Sequence, residues 1–112
     1  MKKILFTLLL IPTLITAQDF PDGLTVVEFN ASFNKNNEVS WLGNLSDCKV
    51  KRVDITADAR WASEYKIVVV PTLVVFNNNE ESKRFQANIM MTMEATLKEV
   101  QESVDEIIME AF

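Results

Sequence analysis

The chain has 112 residues, sixteen of them acidic against eleven basic, for a net charge of −5. That length holds one domain, and the negative balance repels phosphate backbones, which argues against nucleic acid as a partner. Cys48 is the only cysteine and there is no histidine. An intramolecular disulfide, a Cys/His zinc site, a Cys–His pair and a Ser–His triad are therefore excluded, and neither metal nor cofactor is expected.

Met1-Lys2-Lys3 is a short positive start, and residues 4–15 are apolar except for Thr7, Pro12 and Thr13. With Ala17 as the small residue at a cut and Gln18 after it, residues 1–17 read as a secretory signal peptide. The apolar run is shorter than the roughly 20 residues that span a bilayer and is broken by Pro12, so no stable membrane insertion is expected after cleavage. The lysine-led form looks bacterial, and the expected location is the periplasm or outside the cell. Residues 18–112 then form the domain, with nine basic against sixteen acidic residues once Lys2 and Lys3 are gone, a net −7.

Residues 19–23 hold Pro21 and Asp22-Gly23, a turn signal. Residues 24–29 (Leu-Thr-Val-Val-Glu-Phe) read as a buried strand interrupted by one carboxylate, Glu28. A polar, Asn-rich stretch follows over 30–37. Val39, Trp41, Leu42 and Leu45 then suggest a short helix over 38–45, limited by Gly43 and Asn44. Residues 48–55 alternate as a second strand, with Cys48, Val50 and Arg52 on one side and Lys49, Lys51 and Val53 on the other. Residues 58–66 fit a two-turn helix with Asp58 as N-cap and Trp61, Ala62 and Tyr65 inward. Residues 72–76 form a third strand, Asn77-Asn78-Asn79 a tight turn, and 82–87 a fourth strand. Thr92 opens a last helix with Met93, Leu97, Val100, Val104, Ile107 and Ala111 as its apolar stripe. Ile89, Met90, Met91 and Met93 lie near its start and read as core or turn packing, although methionines also adapt to varied partners.

The order is strand, helix, strand, helix, strand, strand, helix. Right-handed crossovers make the first three strands parallel neighbours, and the Asn hairpin makes the last two antiparallel. The expected fold is α/β: a mixed four-stranded sheet flanked by helices on both faces.

That order, with Pro71 entering the third strand, resembles the thioredoxin family. Val26-Val27-Glu28-Phe29-Asn30-Ala31-Ser32-Phe33 is similar to its strand of the form V-D-F-W-A-x-W. Tyr65-Lys66-Ile67-Val68-Val69-Val70-Pro71-Thr72-Leu73 is similar to its Y-x-I-x-x-x-P-T-L segment, and Asn78-Asn79-Glu80 to its N-G-E turn. The likeness covers roughly residues 18–112, without the strand and helix that open a full-length thioredoxin, and Ala87-Asn88 stand where a glycine ends the family's last strand. The departure is chemical. Where the family has W-C-G-P-C, this chain has Phe33-Asn34-Lys35-Asn36-Asn37, with Asn34 and Asn37 at the two cysteine positions. An amide forms no thiolate and carries no mixed disulfide, so two-cysteine disulfide exchange is not expected.

The resemblance also implies that Glu28 is a buried acid beneath the site, its pKa raised by desolvation; Lys35 or Lys51 is the partner expected for it from the sequence. It implies a cis bond before Pro71 and a shallow groove formed by Val70, Pro71, Thr72, Phe33 and Asn34. Such a groove would take an extended segment of another exported protein as an added strand. The reading that follows is a non-catalytic, monomeric peptide-binding module. Two alternatives stand beside it: a thiol redox protein acting through Cys48 alone, and a structural or assembly subunit. Cys48 reads as a half-buried, inert thiol, with a Cys48-linked dimer as its minor alternative. Asn30-Ala31-Ser32 and Asn44-Leu45-Ser46 fit the glycosylation pattern and are read as chance matches in an Asn-rich chain.

Overall fold

The computed structural model describes residues 19–111, so the signal peptide expected over residues 1–17 lies outside the described residues. The central strand β1, Leu24–Asn30, is buried along most of its length. Its alternation sends Val27 and Phe29 into one core layer and Val26 into the other. Strand β2 is Lys49–Asp54, helix α1 is Arg60–Tyr65, strand β3 is Thr72–Asn77, strand β4 is Glu80–Gln86 and helix α2 is Leu97–Glu110. The strand order is β2-β1-β3-β4.

Strands β1 and β2 are parallel, with Thr25 opposite Lys49 and Asn30 opposite Asp54. The third strand departs from expectation, because β3 runs antiparallel to β1, with Phe29 opposite Thr72. The connection explains this. Six residues of α1 advance only about 9 Å, and Lys66 then reverses the chain in a left-handed conformation, φ 54°. Thr72 then stands opposite Phe29, so the chain re-enters the sheet at the end where β2 left it. Strands β3 and β4 form the antiparallel hairpin, turning through Asn78 and Asn79 at φ 52° and 71°.

One core layer packs Trp61, Ala62 and Tyr65 of α1 against Phe29, Val74 and Phe76, with Phe20 stacked on Phe76. The other packs Val100 and Val104 of α2 against Val26, Leu73 and Val75. Helices therefore cover both faces of the sheet.

Two local expectations change. Residues 38–45 do not form an α-helix; the chain makes 3-10 segments at Ser32–Asn37 and Leu42–Asn44. The buried residues Val39, Leu42 and Leu45 recur every three positions, which matches three residues per turn rather than 3.6. The last helix starts at Leu97, not Thr92. Asn88 Oδ1 accepts from the Met90 and Thr92 amides at 2.9 and 3.1 Å and from Thr92 Oγ1 at 3.0 Å, which holds residues 88–92 as a loop. Thr96 and Glu99 instead form a reciprocal capping box. Asp58 still organises the entry to α1, since its Oδ1 accepts from the Arg60 amide at 3.0 Å, although Ala59 holds the N-cap position.

Candidate functional site

Three segments meet at one end of the sheet: the 3-10 turn Ser32–Asn37 after β1, the Val68-Val69-Val70-Pro71 run before β3, and residues 88–92 after β4. The pairings Phe29–Thr72 and Thr72–Gln86 force this convergence. Asn34 sits at its centre, only 3% exposed. Its Nδ2 donates to Asn30 Oδ1 at 3.1 Å, to the Met91 carbonyl at 3.1 Å and to the Val70 carbonyl at 3.4 Å. Its Oδ1 accepts from Asn37 Nδ2 at 2.8 Å, and its carbonyl accepts from Asn30 Nδ2 at 3.2 Å. The side chain thus holds three segments together through neutral hydrogen bonds. A primary amide offers donors and acceptors but neither a nucleophile nor a titratable proton.

The Val70–Pro71 bond is cis. Val70, Pro71 and Thr72 are all buried. The carbonyls of residues 69, 70 and 71 each accept one bond from within the chain: Val69 O from Thr72 Oγ1 at 2.7 Å, Val70 O from Asn34, and Pro71 O from the Ala87 amide at 3.1 Å. The accessible surface is made by other side chains. Phe33 is 72% exposed, Val68 81%, Ile89 98% and Met90 72%. Of these, only Phe33 was expected at the site from sequence. Ile89 and Met90 face solvent instead of packing, because the Asn88-centred loop turns them out. Val68 carried one legible signal: a run of four apolar residues cannot bury every member of an extended segment when alternate side chains point to opposite sides. Lys35 pairs with Glu38 at 3.7 Å on the surface, Asn36 is exposed, and Asn37 is half-buried.

Glu28 lies beneath the turn, 1% exposed. Its partner is Arg52, not Lys35 or Lys51. Lys51 instead lies 6.0 Å from the centre of the Phe20 ring, on the opposite face of β2. Arg52 Nη1 donates to Glu28 Oε1, and the Val39 amide donates to Oε2 at 2.8 Å. Arg52 Nη2 donates to the Val39 carbonyl at 2.9 Å. The pair therefore grips both backbone groups of the residue just past the turn. Burial pushes the Glu28 carboxyl above its ordinary value, opposed by the Val39 hydrogen bond and by Arg52. A cleft of about 220 Å³ opens above the pair, with Ser32, Lys35 and Asp54 in its wall.

Cys48 stands at the far end of β2, at the edge of the α2-side core. The length of β2 puts it on the order of 15–20 Å from the Asn34 end. Burial pushes its thiol upward, and Asp47 and Asp105 push the same way. That is the reverse of the electropositive setting that activates a thiolate. Among the described residues, no group of three carboxylates or thiols is placed to hold a metal ion.

No family model matches the chain, and no characterised protein matches it by sequence. Solved structures do. A mutant thioredoxin from Halobacterium salinarum is 20% identical at a TM-score of 0.61, covering 76% of this chain and 74% of that one. A thioredoxin from Schistosoma mansoni is 21% identical at 0.61, covering 77% and 80%. One from Nicotiana alata is 18% identical at 0.57, covering 80% and 76%. At these identities the likeness defines the fold: this chain has a thioredoxin-like fold. Within that fold it carries a single cysteine, remote from the end of the sheet where Asn34 and Asn37 stand.

Proposed function

We propose that this protein is a non-catalytic thioredoxin-fold binding module, acting in the periplasm or outside the cell, that docks a segment of another exported protein beside Asn34. The observation that carries the reading is four strongly exposed apolar side chains, Phe33, Val68, Ile89 and Met90, on three segments that one buried amide ties together at the same end of the sheet. Single exposed apolar residues are ordinary, but several gathered at one end of a sheet are a reason to look for an interaction surface there. Loops held by a fixed hydrogen-bond hub present that patch already ordered, which lowers the entropy cost of binding. The protein acts as a monomer in this reading, and neither metal nor cofactor takes part.

Partner capture by the wild type is compared with an Ile89→Ser/Met90→Ser variant and with Cys48→Ser. Partners lost with the apolar pair and kept with Cys48→Ser support docking. Partners lost only with Cys48→Ser, together with disulfide reduction above background in an insulin assay, would replace this reading with single-thiol chemistry.

A further inference from the structure

We propose that the open edge of β2 is a second docking surface, separate from the Asn34 end, and that it takes an extended acidic segment of a partner protein as an added strand. In the order β2-β1-β3-β4, β2 has a neighbouring strand on one side only. Just past its end, the Ile55 amide donates to the Asn30 carbonyl at 2.9 Å. The main-chain groups of an extended segment alternate in direction, so Lys49, Lys51 and Val53 share the side of Ile55 and bond to β1. The amides and carbonyls of Val50 and Arg52 then point to the free edge, where a strand can be added. Pairing with β1 runs unbroken over six residues, and every residue of β2 except Val53 is exposed. The other edge is less suited, because the pairing of β4 shifts between Val75 and Phe76, and such irregularities hinder strand addition.

Charge decides what can pair there. Arg52 is committed to Glu28 and to the Val39 carbonyl. Lys49 lies 3.8 Å from Asp22, with both side chains largely exposed, and such an ion pair contributes little in water. Lys51 makes no ion pair among the described residues; its Nζ lies 6.0 Å from the centre of the Phe20 ring. A two-fold antiparallel pairing of β2 with a second copy, joined through Val50 and Arg52, has three registers. They set Lys49 opposite Lys51, Lys51 opposite itself, or Arg52 opposite itself, and like charges directly opposite are destabilising. A segment with carboxylates at alternate positions turns the same contacts favourable on the face of Lys49 and Lys51, while Val50 offers apolar contact on the other. The lysines therefore turn away like edges and admit an acidic one.

The test uses capped synthetic peptides of about seven residues, the length of an ordinary strand. The first alternates Glu with Val, and the second has Lys in place of Glu. Two more repeat the first with methyl groups on either the valine or the glutamate amides. With Glu opposite Lys49 and Lys51, the valine amides are the ones that face β2. Hydrogen exchange of the isotope-labelled protein is followed by NMR. In the protein alone the Val50 and Arg52 amides should exchange quickly and the Lys51 amide slowly; the Glu peptide should protect the first two. It should bind about tenfold more tightly than the Lys peptide and the valine-methylated peptide, which loses its bonding donors. The glutamate-methylated peptide should bind like the first. Lys49→Glu/Lys51→Glu should reverse the preference towards the Lys peptide with unchanged circular dichroism, since both side chains are exposed. Equal binding of the two methylated peptides would show charge attraction without strand pairing and overturn the proposal. So would no binding at millimolar concentration, or slow exchange at Val50 and Arg52 in the dilute protein alone, which would mean an edge already covered. Protection of those amides that grows with protein concentration would assign the edge to a second copy and refute it as well.

Discussion

Replacing Arg52 with alanine would strand Glu28, which is 1% exposed and would keep only the Val39 amide as a hydrogen-bond donor. Removing one partner of a fully buried ion pair costs about 3–5 kcal/mol. The Arg52 side chain is itself 41% exposed, so solvent screens part of the attraction and the electrostatic share falls to roughly 1–2 kcal/mol. Loss of the Nη2 bond to the Val39 carbonyl adds about 1 kcal/mol. A loss of about 2–3 kcal/mol at pH 7 follows, read from urea unfolding with unchanged slope. The pH dependence gives an independent check. Burial already raises the folded-state pKa of Glu28 above its ordinary value of 4.5, and removing the guanidinium raises it further. Between the unfolded and the folded pKa the native state holds the proton that the unfolded state has released, so stability falls as pH rises through that window. The deficit of Arg52→Ala should therefore be small below pH 4.5 and grow towards neutrality. A Glu28→Gln/Arg52→Met double variant, which buries no charge, should recover most of the loss. A deficit under about 0.5 kcal/mol at pH 7, or one independent of pH, would show that the pair does not clamp the turn.

Asn34→Ala leaves the Met91 and Val70 carbonyls without their shared donor; it should cost about 1–3 kcal/mol and speed amide hydrogen exchange over residues 88–92, with exchange confined to the termini as the refuting result. Thr96→Ala removes the N-cap and half of the capping box of α2 and should lower stability by about 1 kcal/mol in thermal unfolding; no change would mean that Glu99 alone carries the cap. Cys48 should react slowly with iodoacetamide at pH 7 and accelerate only above the ordinary thiol range, because burial, Asp47 and Asp105 all push its pKa up. Rapid alkylation at pH 7 would contradict that.

Several features were legible in the chain because they are local. The apolar run around Val26 and Val27, the three-asparagine turn and the Pro71-Thr72 entry to β3 each express a short-range preference. The absence of a second cysteine was equally plain from the text of the sequence. The Thr96–Glu99 capping signature was present too, and outranks Thr92 as a helix start once Asn88 is seen to consume the Thr92 amide.

The rest depended on which distant residues became neighbours. The direction of β3 followed from the length of α1 and the reversal at Lys66, a geometric balance that strand and helix preferences do not express. Glu28 found Arg52 rather than a lysine because parallel pairing sets Arg52 opposite it on the same side of the sheet, while strand alternation turns Lys51 to the other. Asn34 reaches carbonyls 36 and 57 positions away, which no window along the chain contains. Composition determined that this protein has neither paired thiols nor histidine. Only the folded sheet, by bringing three loops to one end, decided which apolar side chains were left facing solvent.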